Sequence, residues 1–397
     1  MRYEFDRMID RYQTASEKWD GAEKIFGEQN LLPMWVADMD FRSPEPVIEA
    51  MKQRVEHGVF GYNLRPDSYY EAIKDWMAVR HNWTIQQDWI CYSPGVMPAI
   101  SLIISYFSEP GDSVLIEPPV YPPFSQVVTR HGRKLVTNPL QYDNGRYQIN
   151  FADLKRKLDN GVKIMLLCSP HNPVGRVWTR QELTQLGEMC LERNVLVVAD
   201  EIHADLVYQG SSHTPFSSIS EDFAQQSIVC TAPTKTFNLA GIQTANIIIP
   251  NPKLREKFKF AIENYFLQFS NTYGMIATER AYRDGAEWLD QCLKYVEQNL
   301  RFLTAYVEKQ IPEIKVVHPE GTYLAWLDCR ELGMDAKTLE QFMLKQANVA
   351  LVAGDTFGHE GKGFMRMNLA TPRVLLDEGL QRIGRAIKSY RESKESF

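Results

Sequence analysis

"SIVCTAPTKTFNLAG", residues 227–241, opens as an apolar run and then sets one lysine, Lys235, among small, apolar and hydroxyl-bearing neighbours. The run is short and breaks at Pro233, so it reads as a strand that delivers a polar turn. "NVLVVADE" (194–201), "KIMLLCSP" (163–170) and "DSVLIEPP" (112–119) have the same form, and "TANIIIP" (244–250) follows close behind. Between and before such runs lie stretches with helical spacing, among them "PEPVIEAMKQRVEHG" (44–58) and "SYYEAIKDWMAVRHN" (68–82). Continuous apolar strands separated by helices predict an α/β fold whose mostly parallel sheet is covered on both faces. Polar residues that end those strands should gather at the carboxyl edge of the sheet.

The totals agree with a large folded body. At 397 residues, with 44% hydrophobic and 24% charged side chains, the chain exceeds what one core usually serves. A large domain is expected over residues 43–285. After it the pattern changes to a long helix ("EWLDQCLKYVEQNLRFLTAYVEKQ", 287–310), short strands ("KVVHP", "TYLAWLDC", "FMRMNLA") and a closing helix from Val374. This predicts a smaller α+β domain over 286–397, with residues 1–42 joining it and edging the site.

A net charge of −6 with dispersed basic residues argues against nucleic-acid or membrane partners. The charged start, "MRYEFDRMIDRYQ", and the lack of a membrane-span-length segment predict a cytoplasmic protein. Six widely spaced cysteines, without a C-x-x-C pair, read as buried thiols in a reducing compartment. There is no G-x-G-x-x-G after a strand, no P-loop lysine motif and no H-E-x-x-H, so nucleotide and metal chemistry find no support. "NWT" at Asn82 matches a glycosylation sequon, which in a chain without an export signal is a chance match.

Three strand ends deliver chemistry: Asn172 after "MLLCSP", Asp200 in "VLVVADEIH", and Thr234 with Lys235 after "IVC". A lysine held among apolar groups loses hydration of its charged form, which lowers its proton affinity and frees a nucleophilic amine for imine formation with a carbonyl. Read alone, Asp200 is equally a helix N-cap and "HNP" equally a turn. Arg366, among apolar neighbours in "FMRMNLA", needs an anionic partner if buried.

These segments, with "PMWVADMDF", "GVFGYN", "YSPGVMPAI", "PPVYPPF" and "SPHNPVGRVW", follow one another in an order and spacing that resemble fold-type I enzymes using pyridoxal 5′-phosphate. The resemblance lies within the class I/II aminotransferase superfamily and is nearest to the MalY/PatB branch of cystathionine beta-lyases. It implies that Lys235 binds the cofactor covalently and then serves as general base. It implies that Asp200 pairs with the ring nitrogen, Asn172 with the ring oxygen, and that Tyr121 stacks on the ring. Gly95, Val96, Met97 and Thr234 are implied to hold the phosphate, joined by Tyr62 from a second copy, hence a homodimer. Arg366 would clamp the substrate carboxylate, with Asn172 and the backbone of Ala37 and Asp38 closing that end.

Two positions depart from the wider superfamily. Gln243 stands where many members have a phosphate-binding arginine, and His203 stands where many have a tyrosine near the ring oxygen. Gln243 argues against an aspartate-aminotransferase type of site, while His203 is open between a cofactor contact and a structural histidine. The implied activity is beta-elimination from a sulfur amino acid to a thiol, pyruvate and ammonia. Transamination would use the same residues, and a MalY-like regulatory role is a further alternative.

Overall fold

The computed structural model describes residues 2–395. Its larger sheet has seven strands: β1 (Ile90–Ser93), β2 (Ser113–Ile116), β3 (Lys134–Thr137), β4 (Val162–Cys168), β5 (Leu196–Asp200), β6 (Ser227–Thr231) and β7 (Ala245–Ile248). Their spatial order is β1-β7-β6-β5-β4-β2-β3. All neighbours are parallel except β7, which runs antiparallel to both β1 and β6. The expected α/β architecture is therefore present, with one reversed strand.

The uninterrupted apolar runs follow from burial on both faces. Ile164, Leu166, Val198, Ile228 and Cys230 pack on one side with the helices Val96–Phe107 and Pro252–Asn264. The alternate residues Met165, Leu167, Val197, Ala199 and Val229 pack on the other, against Leu183 and Leu186 of the helix Arg180–Leu191. That helix starts where the sequence dictates: Thr179 accepts from the Glu182 N–H while the Glu182 side chain accepts from the Thr179 N–H, a closed capping box.

A second, antiparallel sheet contains β8 (Lys315–Val317), β9 (Leu324–Asp328), β10 (Val352–Ala353) and β11 (Phe364–Asn368), in the order β8-β9-β11-β10. The helices Ala286–Gln310 and Arg373–Glu395 cover it through Leu300, Leu303, Leu376 and Leu380. Leu32–Pro33 pairs in parallel with Val349–Ala350, tying the N-terminal segment to this body. One apolar cluster runs from the larger sheet into the smaller, so the two are packed without a solvent layer between them. All six cysteines are buried and free. Among the described residues no helix is long and apolar enough to cross a membrane, and no group of His, Cys, Asp or Glu could hold a metal.

Register fixes where the strand ends lie. Cys168 of β4 is opposite Asp200 of β5, and Asp200 is opposite Cys230 of β6. The turns after these residues, carrying Asn172, His203 and Lys235, therefore leave the sheet side by side.

Just beyond β2 a second acid is buried. Glu117 is 1% exposed, and one oxygen accepts from Asn138 Nδ2 at 2.9 Å while the other has no partner among the described residues. Burial pushes its pKa up to about 8. A carboxyl that keeps its proton in the folded state contributes stability fully present below about pH 4.5, its unfolded value, and lost as pH rises through 8. The E117Q variant should lose this slope: between pH 5 and 8 the wild type should weaken relative to it by about 3–4 kcal/mol in chemical denaturation. Parallel pH profiles would show that Glu117 is ionised when folded.

Candidate active site

Lys235 sits in a single helical turn, Pro233–Thr236, directly after β6. Pro233 starts the turn at no hydrogen-bond cost, since a first-turn N–H has no intrahelical acceptor. Thr236 anchors it by donating to Asp205 Oδ2 at 2.7 Å. Asp205 also accepts from Trp76 Nε1 at 2.9 Å and bonds His81 Nε2 at 2.7 Å, which ties the turn to the helix Asp67–His81. The Lys235 ammonium donates to the Ala37 carbonyl at 2.6 Å. Burial, with Arg366 adding repulsion, lowers its pKa to about 8, although Asp38 and Asp200 act in the opposite sense.

Asp200 ends β5 and is 5% exposed. It accepts the Ile202 N–H at 3.1 Å within a turn, no helix follows for it to cap, and among the described residues no cation reaches salt-bridge distance. Burial raises its pKa to about 7. His203, in the turn that follows, is buried, its Nδ1 has no partner among the described residues, and burial, then Lys235 and Arg366, lowers its pKa to about 3. The imidazole is therefore neutral. Tyr121 precedes the helix Pro123–Arg130; burial, followed by the charge of Asp200, raises its pKa.

Arg366 projects from the middle of β11, opposite Trp326 and Val352, and is 6% exposed. Nη1 donates to Asn172 Oδ1 at 3.1 Å and Nη2 to the Trp35 carbonyl at 2.9 Å, while its carbon lies 5.0 Å from the centre of the Phe357 ring. Nε has no partner among the described residues. Burial lowers the guanidinium pKa to about 10, and no carboxylate among the described residues pairs with it. A buried cation with a spare donor and no counter-ion is a receptor for an anion.

The structure thus brings Lys235, Asp200, His203, Asn172, Arg366, Ala37 and Asp38 to one connected region. Gly95 caps the helix Val96–Phe107, whose first N–H groups, at Val96 and Met97, have no acceptor within the helix. Thr234 is buried in the Lys235 turn. Tyr62 is different: it is 97% exposed, with its ring 5.9 Å from Phe269, and the chain does not fold it into its own site. Gln243 is exposed and left-handed at φ 52°, and brings no charge.

Several contributors escape sequence reading. Tyr323 donates to the Ala37 carbonyl at 2.8 Å, and Asn368 donates to the carbonyls of Val36 and Asp38 at 2.7 and 2.5 Å. Both lie in segments that read only as strands, "TYLAWLDC" and "FMRMNLA". Arg11, Lys18 and Asp40 surround Asp38 with charge. A signal for these was present in "SEKWDG", where a lysine stands beside a tryptophan in otherwise polar chain.

A family model for aminotransferase class I and II matches residues 31–383. The cystathionine beta-lyase PatB of Bacillus subtilis is 44% identical over 384 residues, spanning 96% of this chain and 99% of that protein. Protein MalY of Escherichia coli is 34% identical over 393 residues, spanning 98% of this chain and all of its own. The solved structure of cystalysin from Treponema denticola, which contains a pyridoxal 5′-phosphate cofactor, superposes with a TM-score of 0.95 at 40% identity over 98% of this chain and 100% of its own.

In cofactor-free protein, amine-reactive labelling of Lys235 followed by peptide mapping should show a pH midpoint near 8. The R366M variant should raise that midpoint, because a neighbouring positive charge is removed. Labelling with the profile of an exposed lysine would contradict the burial argument.

Proposed function

The chain belongs to the class I and II aminotransferase family, and from that premise we propose that it is a pyridoxal-phosphate-dependent carbon–sulfur lyase acting on L-cystathionine or related cysteine S-conjugates. The reaction consumes water and releases a thiol, pyruvate and ammonia. The observation that carries the choice of reaction is the end-to-end likeness to PatB, because transamination would draw on the same catalytic groups.

The residues present fit the cofactor. Asp200 is a buried carboxyl with a backbone partner and no cation, and a protonated ring nitrogen would complete its pairing. The N–H groups at Gly95, Val96 and Met97, with the Thr234 hydroxyl, are suited to a phosphate. Tyr121 would pack on the ring and Asn172 would face its oxygen. When bound, the cofactor supplies an aldehyde for covalent linkage to amines and a heterocycle that accepts the electron pair left at the substrate α carbon.

Lys235 is the residue that binds covalently, and its low proton affinity lets the freed amine take the α proton near neutral pH. Arg366 holds the α-carboxylate, with Nε as the donor no protein atom uses. Asn172 holds Arg366 in place at 3.1 Å, and the backbone of Ala37 and Asp38 closes the same end. Neutral His203 adds no charge beside the ring. Asp200, when ionised, favours a protonated ring nitrogen by Coulomb attraction.

A second copy would complete this site. Val59, Phe60, Tyr62 and Leu64 are exposed, as are Phe266 and Phe269 beside them, an apolar surface suited to a self-interface. Tyr62 would then reach the phosphate in the neighbouring copy, and the enzyme would work as a homodimer in the cytoplasm.

Purified protein with pyridoxal 5′-phosphate and L-cystathionine, without any 2-oxo acid, should form thiol and pyruvate in equal amounts. Turnover only after a 2-oxo acid is added would instead identify an aminotransferase. The K235A variant should lose both the visible cofactor-imine absorbance and elimination, while R366A should lose about 2–5 kcal/mol in kcat/KM. Sedimentation should give a dimer, and Y62F should bind the cofactor more weakly; a monomer with full activity would rule out the shared site.

A further inference from the structure

Residues 35–41 form one wall of the site and are stitched from several directions. Asn368 and Tyr323 bind the carbonyls of Val36, Ala37 and Asp38, while Asn238 accepts the Met39 N–H and donates to the carbonyls of Met39 and Phe41. Two carboxylates of this wall, Asp38 and Asp40, meet two cations from the preceding chain, Arg11 and Lys18. Arg11 donates to Asp38 at 2.9 and 2.7 Å and to Asp40 at 2.7 Å. Lys18, whose side chain is 1% exposed, lies 2.6 Å from Asp40 and 3.7 Å from Asp38. Trp19 Nε1 adds a bond to Asp40 at 2.9 Å. Although burial pushes Asp40 upward, Lys18, Trp19 and Arg11 hold its pKa below the ordinary carboxylate value.

The two cations and two carboxylates sum to zero. Removing any one would leave an uncompensated charge close to Ala37, whose carbonyl holds the Lys235 nitrogen at 2.6 Å. An excess negative charge there would favour a proton on that nitrogen, and Asp38 already pulls in that direction. We propose that Lys18, acting with Arg11, is a positioning residue for the reaction: it cancels Asp38 and Asp40, so the wall that orients Lys235 does not also trap a proton on it.

This rests on Lys235 carrying the cofactor. The other titratable and charged groups acting on Lys235 are Arg366 from β11, Asp200 from β5, His203 in the turn after it and Glu17 beside Lys18; Tyr323, before β9, shares the Ala37 carbonyl with it, and Tyr121 lies within reach of Asp200 and Arg366. None of these is altered in the following variants.

The test is a charge cycle on cofactor-loaded protein, read as the pH midpoint of the visible absorbance change that reports the proton on the Lys235 nitrogen. K18M leaves one negative charge in excess and should raise the midpoint by about half a pH unit, a modest Coulomb effect across several ångströms of protein. D40N leaves one positive charge in excess and should lower it. The K18M/D40N double variant should return to the wild-type midpoint, and K18R should keep it. Midpoints unmoved in both single variants, or moved in the same direction in both, overturn the proposal. If K18M does not fold, D40N decides alone, and an unmoved midpoint overturns it. A wild-type protein with no Lys235-dependent visible band would defeat the assignment of Lys235 instead, which keeps the two failures distinct.

Discussion

Three adjacent parallel strands are in register at Cys168, Asp200 and Cys230, at or one residue before their ends, and the chemistry of the site depends on that alignment. Each strand is buried on both faces, so its apolar residues leave little freedom to slide: a one-residue slip would send every side chain to the opposite layer. With the register held, the turns bearing Asn172, His203 and Lys235 emerge next to one another. Arg366 comes from the other sheet, and its bonds to Asn172 and to the Trp35 carbonyl join both sheets to the N-terminal segment.

The resulting pocket is electrostatically costly. Lys235, half-buried, and Arg366, buried, are cations whose proton affinities are depressed, and Asp200 is a buried acid whose affinity is raised. None reaches a conventional ion-pair partner among the described residues, so folding pays desolvation without the usual compensation. A ligand carrying an anion for Arg366 and a cationic ring for Asp200 would relieve this cost, and its binding would stabilise the folded chain accordingly. Some buried charges elsewhere are matched: Lys18 and Arg11 meet Asp38 and Asp40, and Arg176 meets Glu182 and Glu320. Lys235, Arg366 and Asp200 are unmatched and gathered at one place, and such a gathering marks a candidate functional region.

Much of this was legible in the linear chain. The apolar runs and intervening helices determined an α/β fold with a mostly parallel sheet, because strands buried twice must be apolar throughout. The order of its motifs determined the family and the cofactor chemistry, and the strand-end pattern singled out Asn172, Asp200 and Lys235. Tertiary structure decided what periodicity does not encode: that β7 runs antiparallel, that the Ala37 carbonyl receives both Lys235 and Tyr323, and that Asn368 and the Lys18 cluster brace this wall. Such contacts join residues as much as 332 positions apart, and they arise from packing geometry rather than from local preference. Tyr62 shows the same division: its residue type and motif belong to the sequence, but its exposure comes from a chain that turns this side chain away from its own pocket.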